Sequence, residues 1–552
     1  MQAREAHNTL TLQRNFPEIY REFFAKCQQV ASAPNSFLWS GEFSGFYEGG
    51  LLISQKLPFR VYVGFEKTFD SKITVDQGYI AYEMGENNFV KKVFDPQLAE
   101  QFKVFLSGQF GQEKDFTGIS VHIMTEAPLG HGLGSNGALA AALATLVSKD
   151  KDIPKKFELA RKILAASQKG YSSGVSAYNA LTSTNQPILF FGHDKSFSAY
   201  PISEIAGVEG LINWPIDFGL IYTGVQTNSE TVVLSTEHTM AELSIAGERV
   251  QELLADYSHP PFQQTYLDML NMTSGLMVSG FAKIFARGSN DEALRDFFGT
   301  MNQYQNLLHI LNISTKTADI IYRHIHELAN KEINGSGSGV KISGIGKGGV
   351  MLFALPYGAH RTEIIEMTDS LGKEFNRNIN LDYASWLDGI GHEAAKIEQN
   401  IEKGEVSSFL SQDVIIVDFL NHGKKSRQIM TKERYSEIVE NVDLLIDKPA
   451  GRILIAGNAL TSKELPSQKA TVLILSELLN TTDYLLSSSE ISDSYGSNRY
   501  DLHSKIVLPL VKQVKNLTKR DLQLSVSGGM YDNFQLKLEP DNISITVSEK
   551  KI

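Results

Sequence analysis

Cysteine is almost missing from this chain: among 552 residues only Cys27 carries a thiol, which excludes an internal disulfide and any cysteine-rich metal centre. That thiol lies in FPEIYREFFAKCQQV, where Phe16, Ile19, Tyr20, Phe23, Phe24 and Cys27 recur at helical spacing. The pattern predicts a buried core thiol rather than a nucleophile. Long apolar runs are missing too. No stretch approaches the roughly eighteen residues of a membrane span, and MQAREAHNTL lacks the apolar centre of a signal peptide, so no membrane contact and a cytoplasmic location are expected. Basic residues are in deficit, 52 Lys and Arg against 63 Asp and Glu, a formal net charge of -11. This excludes a chain-wide nucleic-acid or anionic-membrane surface, though not a local basic patch. The 13 histidines show no H-E-x-x-H or other paired spacing, so no structural zinc is expected. What remains is an ordinary globular balance, 42% hydrophobic and 21% charged, in a chain long enough for two or three domains.

Glycine, by contrast, is concentrated. In EAPLGHGLGSNGALAAALATL, Gly130, Gly132, Gly134 and Gly137 fall within eight positions and lead into an alanine-rich segment. Before them Ile119, Val121 and Ile123 alternate with Ser120, His122 and Met124, the period-2 signature of a strand, and after them Ala138 to Val147 reads as a helix. One reading is the dinucleotide fingerprint G-x-G-x-x-G, which should continue into a second strand ending in an acidic residue. Instead KDKDIPKKFELARKILAAS reads as a charged turn and another helix. A tight turn without a ligand is a second alternative. The third is a phosphate loop, because glycines let backbone amides approach an anion and a helix N-terminus adds partial positive charge.

Two further glycine clusters flank this loop in sequence. ASAPNSFLWSGEFSGFYEGGLLISQKL sets an apolar strand before Gly41-Glu42, and GVKISGIGKGGVMLFALP sets Gly344, Gly346, Gly348 and Gly349 before the apolar run Val350 to Leu355. The second is not a P-loop, since a glycine and not Ser or Thr follows Lys347. In order, the three resemble the motifs of the GHMP kinase superfamily (galactokinase, homoserine kinase, mevalonate kinase and phosphomevalonate kinase). Motif 1 resembles Ala33 through Phe43, motif 2 resembles PLGHGLGSNGA from Pro128 to Ala138, and motif 3 resembles KISGIGKGG from Lys341. Between motifs 2 and 3, FGLIYTGVQTNSETV is similar to the strand and turn that sugar and mevalonate kinases place after the catalytic segment.

The resemblance implies an α+β, two-lobed kinase fold, with an N-terminal lobe at 30–220 and a C-terminal lobe at 221–375. It implies ATP and Mg2+ as cofactors and a small hydroxylated acceptor, a sugar or a mevalonate-like acid. The implied phosphate-binding residues are Gly130, Gly132, Gly134, Ser135, Asn136, Gly137, Gly344 and Gly346, with Ser135 and Asn136 toward the metal. The candidate catalytic residues are Lys347, which stands where motif 3 usually carries a small residue and either charges the phosphates from a new direction or fills a site no longer used, Glu42 near the cleft, and Ser176. Departures from the family pattern are concentrated on the transfer chemistry. The motif 1 lysine position is Ser36, and in YSSGVSAYNALTS the position of the usual aspartate is Ser176. Serine is neither cation nor base at neutral pH. A catalytically impaired relative that senses nucleotide or metabolite is therefore the alternative to a metabolic kinase.

Beyond 375 the resemblance fades. HEAAKIEQNIEKGEVSSFL predicts a helix ended by Gly404 and a short successor, then a strand from Val414 to Phe419. NHGKKSRQIMTKER predicts a solvated basic linker within a connecting segment 376–444. From 445 to 552 the pattern is a hairpin, a helix over about 467–479, a short serine-capped helix, a longer amphipathic helix, and a strand, Gly-Gly turn and strand. This order resembles the winged-helix domains of response-regulator transcription factors. Arg499, Lys505 and Lys512 form a thin basic stripe diluted by Asp493, Asp501 and Asp532. Weak, salt-dependent DNA contact or protein docking is expected of it.

Overall fold

In the computed structural model the description covers residues 9–551, except for 93–118, 208–215, most of 226–261, 375–379, 383–392 and a set of shorter stretches that include 128–131, 169–172 and 345. The chain divides into two compact units. The first holds Met1–Pro17, Val30–Val63 and Thr68–Ile397; the second holds Glu18–Gln29, Gly64–Lys67 and Glu398–Ile552.

The first unit is a mixed α+β structure. After α1 (Thr9–Asn15), and with α2 (Pro17–Lys26) lying mostly in the second unit, come β1 (Gln29–Ser40), β2 (Gly50–Lys67), β3 (Ile73–Glu83), β4 (Glu86–Lys92) and β5 (Ile119–Thr125). They form a sheet in the order β1-β2-β5-β3-β4, onto which β6 (Ile188–His193) and β7 (Ser196–Pro201) continue from β2. The β3–β5 pair is parallel, with Val75 opposite Val121. The expected alternation appears in β5, where Ile119, Val121 and Ile123 are buried.

Three helices accompany this sheet: α3 (Ser135–Val147), α4 (Ile153–Gln168) and α5 (Val175–Leu181). Gly137 through Thr145 of α3 are all buried, so this helix is enclosed around its circumference, and its run of alanines lets neighbouring backbones come close. After α6 (Ile202–Ala206) the chain builds a four-stranded antiparallel sheet in the order β11-β8-β10-β9. Its strands are β8 (Ile216–Tyr222), β9 (Gly339–Ser343), β10 (Val350–Pro356) and β11 (Asn380–Asp382), with α7 (Phe262–Arg287), α8 (Asp291–Ile310), α9 (Lys316–Glu332) and α10 (Arg361–Glu374).

β8 and β10 send apolar side chains into a core on each face of that sheet. Leu220, Val350, Leu352 and Ala354 enter one core with Phe37, Trp39, Phe281 and Phe297, while Ile221, Met351, Phe353 and Leu355 enter another with Val340 and Ile342. Trp39 meets Phe37, Phe218, Phe281 and Phe297 at 5.0–5.8 Å between ring centroids. Its Nε1 donates to Gln55 Oε1 at 2.6 Å, so the large ring is buried with its polar group satisfied.

In the second unit, Cys27 follows α2 and is buried, with its thiol pKa pushed well up by burial. The helix expected over HEAAKIEQNIEK is absent. Its place is taken by β12 (Lys396–Asn400) and a 3-10 turn, Ile401–Lys403. Gln399 explains the difference: fully buried, it donates to the carbonyls of Phe24 (3.0 Å) and Cys27 (2.6 Å), and tertiary pairing overrides local helix propensity. The expected linker is likewise a strand. β13 (Val414–Asn421) turns into β14 (Lys424–Thr431), paired from Val414–Thr431 to Asn421–Lys424, and α11 (Lys432–Val439) follows. β14 is an edge strand, where lysines discourage further strand addition, so basic composition concealed its pairing.

From β15 (Leu444–Asp447) onward the observed elements are β16 (Arg452–Ile455), β17 (Asn458–Ala459), α12 (Gln468–Asn480), β18 (Leu485–Ser487), α13 (Ser488–Tyr495), α14 (Arg499–Leu502), a π turn at His503–Val507, α15 (Leu508–Thr518), β19 (Gln523–Gly528) and β20 (Phe534–Glu539). Pro509 at the start of α15 lacks the N–H of a regular helix, which accounts for the interruption in the expected long helix. Ser487 and Glu490 form a capping box at α13. A final strand, β21 (Ser544–Lys551), was not expected. It runs parallel to β15 and antiparallel to β13, joining them in one six-stranded sheet, and adds Ile545 and Val547 to the core made by the helices and hairpins.

Candidate functional site

Residues of the three sequence motifs meet in the first unit, and motifs 2 and 3 meet through their glycines. Gly132 and Gly344 have φ of +76° and +73°; a Cβ on Gly132 would lie 2.6 Å from Ser343 O, and one on Gly344 would lie 2.5 Å from Gly132 Cα. Ser343 Oγ also donates to Gly132 O at 3.3 Å. Motifs 2 and 3 are therefore in backbone-to-backbone contact.

Gly134, with φ +65°, is the N-cap of α3. A Cβ here would sit 2.6 Å from Ser36 Oγ, 2.8 Å from Ser36 O and 3.0 Å from Ser176 Oγ. One turn later, a Cβ on Gly137 would clash with Ser176 Cβ and approach Ala177 N at 2.8 Å. Ser36 and Ser176, the two positions at which the family motifs carry lysine and aspartate, thus flank the same glycine. Space expected for a ligand beside these α-carbons is filled by protein. What remains for an anion is the N-terminus of α3, where Gly134 supplies no side-chain cap to the first-turn amides. Ser135 is half-buried there and Asn136 exposed, while Gly130 lies outside the described residues.

Motif 3 divides in two. Gly344 faces motif 2, but Gly346, φ +84°, packs directly on Ile313, and Lys347, φ +54°, donates its backbone N–H to Ile313 O at 2.7 Å. Gly349 N donates to Val225 O at 2.6 Å, and Thr223 donates to Gly349 O through both its amide (2.9 Å) and its hydroxyl (3.0 Å). The glycines after 344 hold this turn against neighbouring loops, and Gly346 is accounted for by packing. The Lys347 side chain is half-buried on the same turn.

Glu42 occupies a closed environment. Its carboxylate pairs with Lys341 Nζ, and both side chains have no exposure. Lys341 also donates to Leu38 O at 3.0 Å, and Tyr304 Oη accepts from the amides of Gly41 (2.6 Å) and Glu42 (3.1 Å). Burial pushes the Glu42 carboxyl up and the Lys341 ammonium down, each opposed by the charge of its partner. This pair ties the end of motif 1 to the start of motif 3. Its signal in the sequence is one acid and one base at apolar-flanked positions of two glycine motifs.

Two other groups lacked a sequence signal. Glu126, fully buried just before motif 2, accepts from Thr9 Oγ1 (2.5 Å), Tyr62 Oη (3.0 Å) and the Arg60 amide (2.7 Å). Lys56, on β2, is 1% exposed and donates to Thr182 O at 2.5 Å and Thr184 O at 2.7 Å, just past the C-terminus of α5. Ser54 on the same strand accepts from Asn179 of α5 at 3.0 Å. β2 thus grips the short helix that carries Ser176.

Burial, aided by Arg60, lowers the Lys56 pKa to about 7. The unfolded chain, with an ordinary lysine near 10.5, binds a proton that the folded chain does not between those values. The Lys56 contribution to stability therefore rises with pH in that window, by up to about 1.4 kcal/mol per pH unit. Denaturant titrations at pH 7.5 and 9 should show wild type gaining relative to Lys56→Met. A constant difference would contradict the shifted titration.

Residues 88–181 match the family model described as GHMP kinases N terminal domain. The likeness is to GHMP kinases. Mevalonate kinase of Thermococcus sibiricus is 23% identical over 357 residues, 59% of this chain and 89% of that enzyme. Among solved structures, Lactococcus lactis galactokinase complexed with galactose is 15% identical with a TM-score of 0.47, covering 70% of this chain and 99% of that one. L. major mevalonate kinase in complex with R-mevalonate is 14% identical with a TM-score of 0.42, covering 63% and 93%. The family-model match and the T. sibiricus relative support the superfamily that the motifs resemble.

Proposed function

We propose that this chain binds ATP at the N-terminus of α3 and transfers its terminal phosphoryl group to a small hydroxylated metabolite, a sugar or a mevalonate-like acid. The observation that carries this reading is the convergence of motifs 1, 2 and 3 with the Ser173–Ala177 segment around Gly132 and Gly134. Phosphoryl transfer requires positioning and charge stabilisation above all. Here the α3 amides and the Ser135 hydroxyl would receive the phosphates, and Lys347 would bring a positive charge from the motif 3 turn. Mg2+ prefers oxygen donors. Ser135 Oγ and the Asn136 side-chain carbonyl would supply neutral oxygens, and the described residues contain no cluster of three acidic or histidine side chains. When bound, the ion neutralises charge on the phosphates. A cytoplasmic location fits this chemistry, and among the described residues no helix is long and apolar enough to cross a membrane.

A second reading is favoured by Ser36 and Ser176. With hydroxyls at both positions, a nucleotide- or metabolite-sensing protein without turnover fits the same binding loop. ADP release over a panel of sugars and mevalonate derivatives separates the two. Turnover with one acceptor is expected, and tight ATP binding without turnover on any of them would favour the sensor.

For the second unit we propose a winged-helix reading of 445–552, used for protein docking. The order hairpin, helix, short strand, three helices and hairpin supports it, with β18 pairing to β20. Its basic stripe is thin: Lys505 pairs with Asp501 at 2.9 Å, and Arg499 donates to Gly528 O. No retardation of duplex DNA at physiological salt is expected. Retention there, lost in Arg499→Ala/Lys505→Ala, would establish a DNA reader instead.

A further inference from the structure

Asn35, in motif 1 beside Ser36, reaches the glycine loop of motif 2. Its side chain is fully buried, and its Nδ2 donates to Leu133 O at 3.1 Å and to Ser135 Oγ at 3.0 Å. The orientation of the amide is fixed by chemistry: Leu133 O is a carbonyl and can only accept, so Nδ2 and not Oδ1 must face it. Both Nδ2 protons are then used, and Ser135 Oγ is necessarily an acceptor in this bond. Asn35 Oδ1 is buried without a hydrogen-bond partner among the described residues, so the Ser135 proton does not return to Asn35. The neighbouring Ser36 amide also donates to Leu133 O, at 3.2 Å, which fixes the strand against the loop.

We propose that Asn35 is a positioning residue of the phosphate site: by holding Ser135 Oγ as an acceptor, it commits the Ser135 proton to an anion at the N-terminus of α3. This rests on the ATP-binding reading above. A hydroxyl that accepts from a neutral donor becomes a better donor itself, because hydrogen bonds in a chain polarise one another. Its partner here would be a phosphate oxygen, a charge-assisted bond. Motif 1 of this chain thereby contributes to the phosphate site through Ser135, rather than through an ammonium at position 36.

The test is a double-mutant cycle read by calorimetric ATP titration of the full chain, with thermal melts as a fold control. Ser135→Ala is expected to weaken ATP binding roughly tenfold, and Asn35→Leu by a similar factor. The double variant should be no weaker than about twofold beyond either single one, because the proposed effect of Asn35 on the anion runs through Ser135. Asn35→Asp keeps the shape but accepts from Ser135, reversing the bond, and should weaken ATP binding more than Asn35→Leu. Ser135→Ala within twofold of wild type would overturn the proposal, even if no Asn35 variant folds. Multiplying effects in the double variant would overturn it as well. A wild-type chain that binds no ATP counts against the functional reading itself, whereas wild-type binding with independent effects counts against the role of Asn35 alone.

Discussion

Lys341→Met is expected to lower the unfolding free energy by about 3–5 kcal/mol, because it leaves the Glu42 carboxylate buried without its cation. Both side chains are fully enclosed, and Lys341 also satisfies the Leu38 carbonyl at the end of β1. The pH dependence has a definite sign. Burial already raises the Glu42 pKa, and without Lys341 its lowering influence is gone, so the folded variant binds a proton more readily than the unfolded chain. A raised folded pKa contributes stability at low pH that is lost as pH rises through it. The deficit of Lys341→Met should therefore be smaller at pH 5 than at pH 8. Lys341→Met/Glu42→Gln should recover much of the loss, since removing both charges avoids the stranded one. Equal denaturation midpoints for wild type and Lys341→Met would refute a structural ion pair and return Glu42 to the candidates for chemistry.

Much of this architecture is legible in the chain. Ile119, Val121 and Ile123 mark β5 by alternation, the alanine run marks α3, and Val350 to Leu355 marks β10. Position along the chain also marks the candidate phosphate loop, because a dense glycine cluster between a strand and a helix has few physical uses. The reason for each glycine is not legible. Gly132, Gly134 and Gly137 are read from sequence as openings for an anion, yet Ser343, Ser36 and Ser176 occupy the space beside them, contacts made across 39 to 211 positions of chain. Tertiary hydrogen bonds hide other elements in the same way. Gln399 holds β12 extended against a helical composition, and β14 conceals an edge strand in a basic segment. Lys56 and Asn35 leave no local pattern, since their partners Thr182 and Ser135 are 126 and 100 residues away.

Gly134→Val is expected to abolish ATP binding. A β-branched residue at φ +65° is strained by about 1–2 kcal/mol or more, and its Cβ would be driven into Ser36 Oγ and the Ser36 carbonyl. Relief requires the first turn of α3 to move away from β1, which displaces the amides of Ser135 to Gly137 and breaks the Asn35–Ser135 bond. Buried alanines along the rest of α3 keep the helix seated, so loss of the site is expected at a lower melting temperature but with a cooperative transition. The most direct measurement is calorimetric titration of ATP into the wild-type chain and into Gly134→Val that retains cooperative melting. Saturable binding by wild type and none by the variant is the expected result. No binding by wild type, or equal affinity in both, would contradict a nucleotide site at the N-terminus of α3.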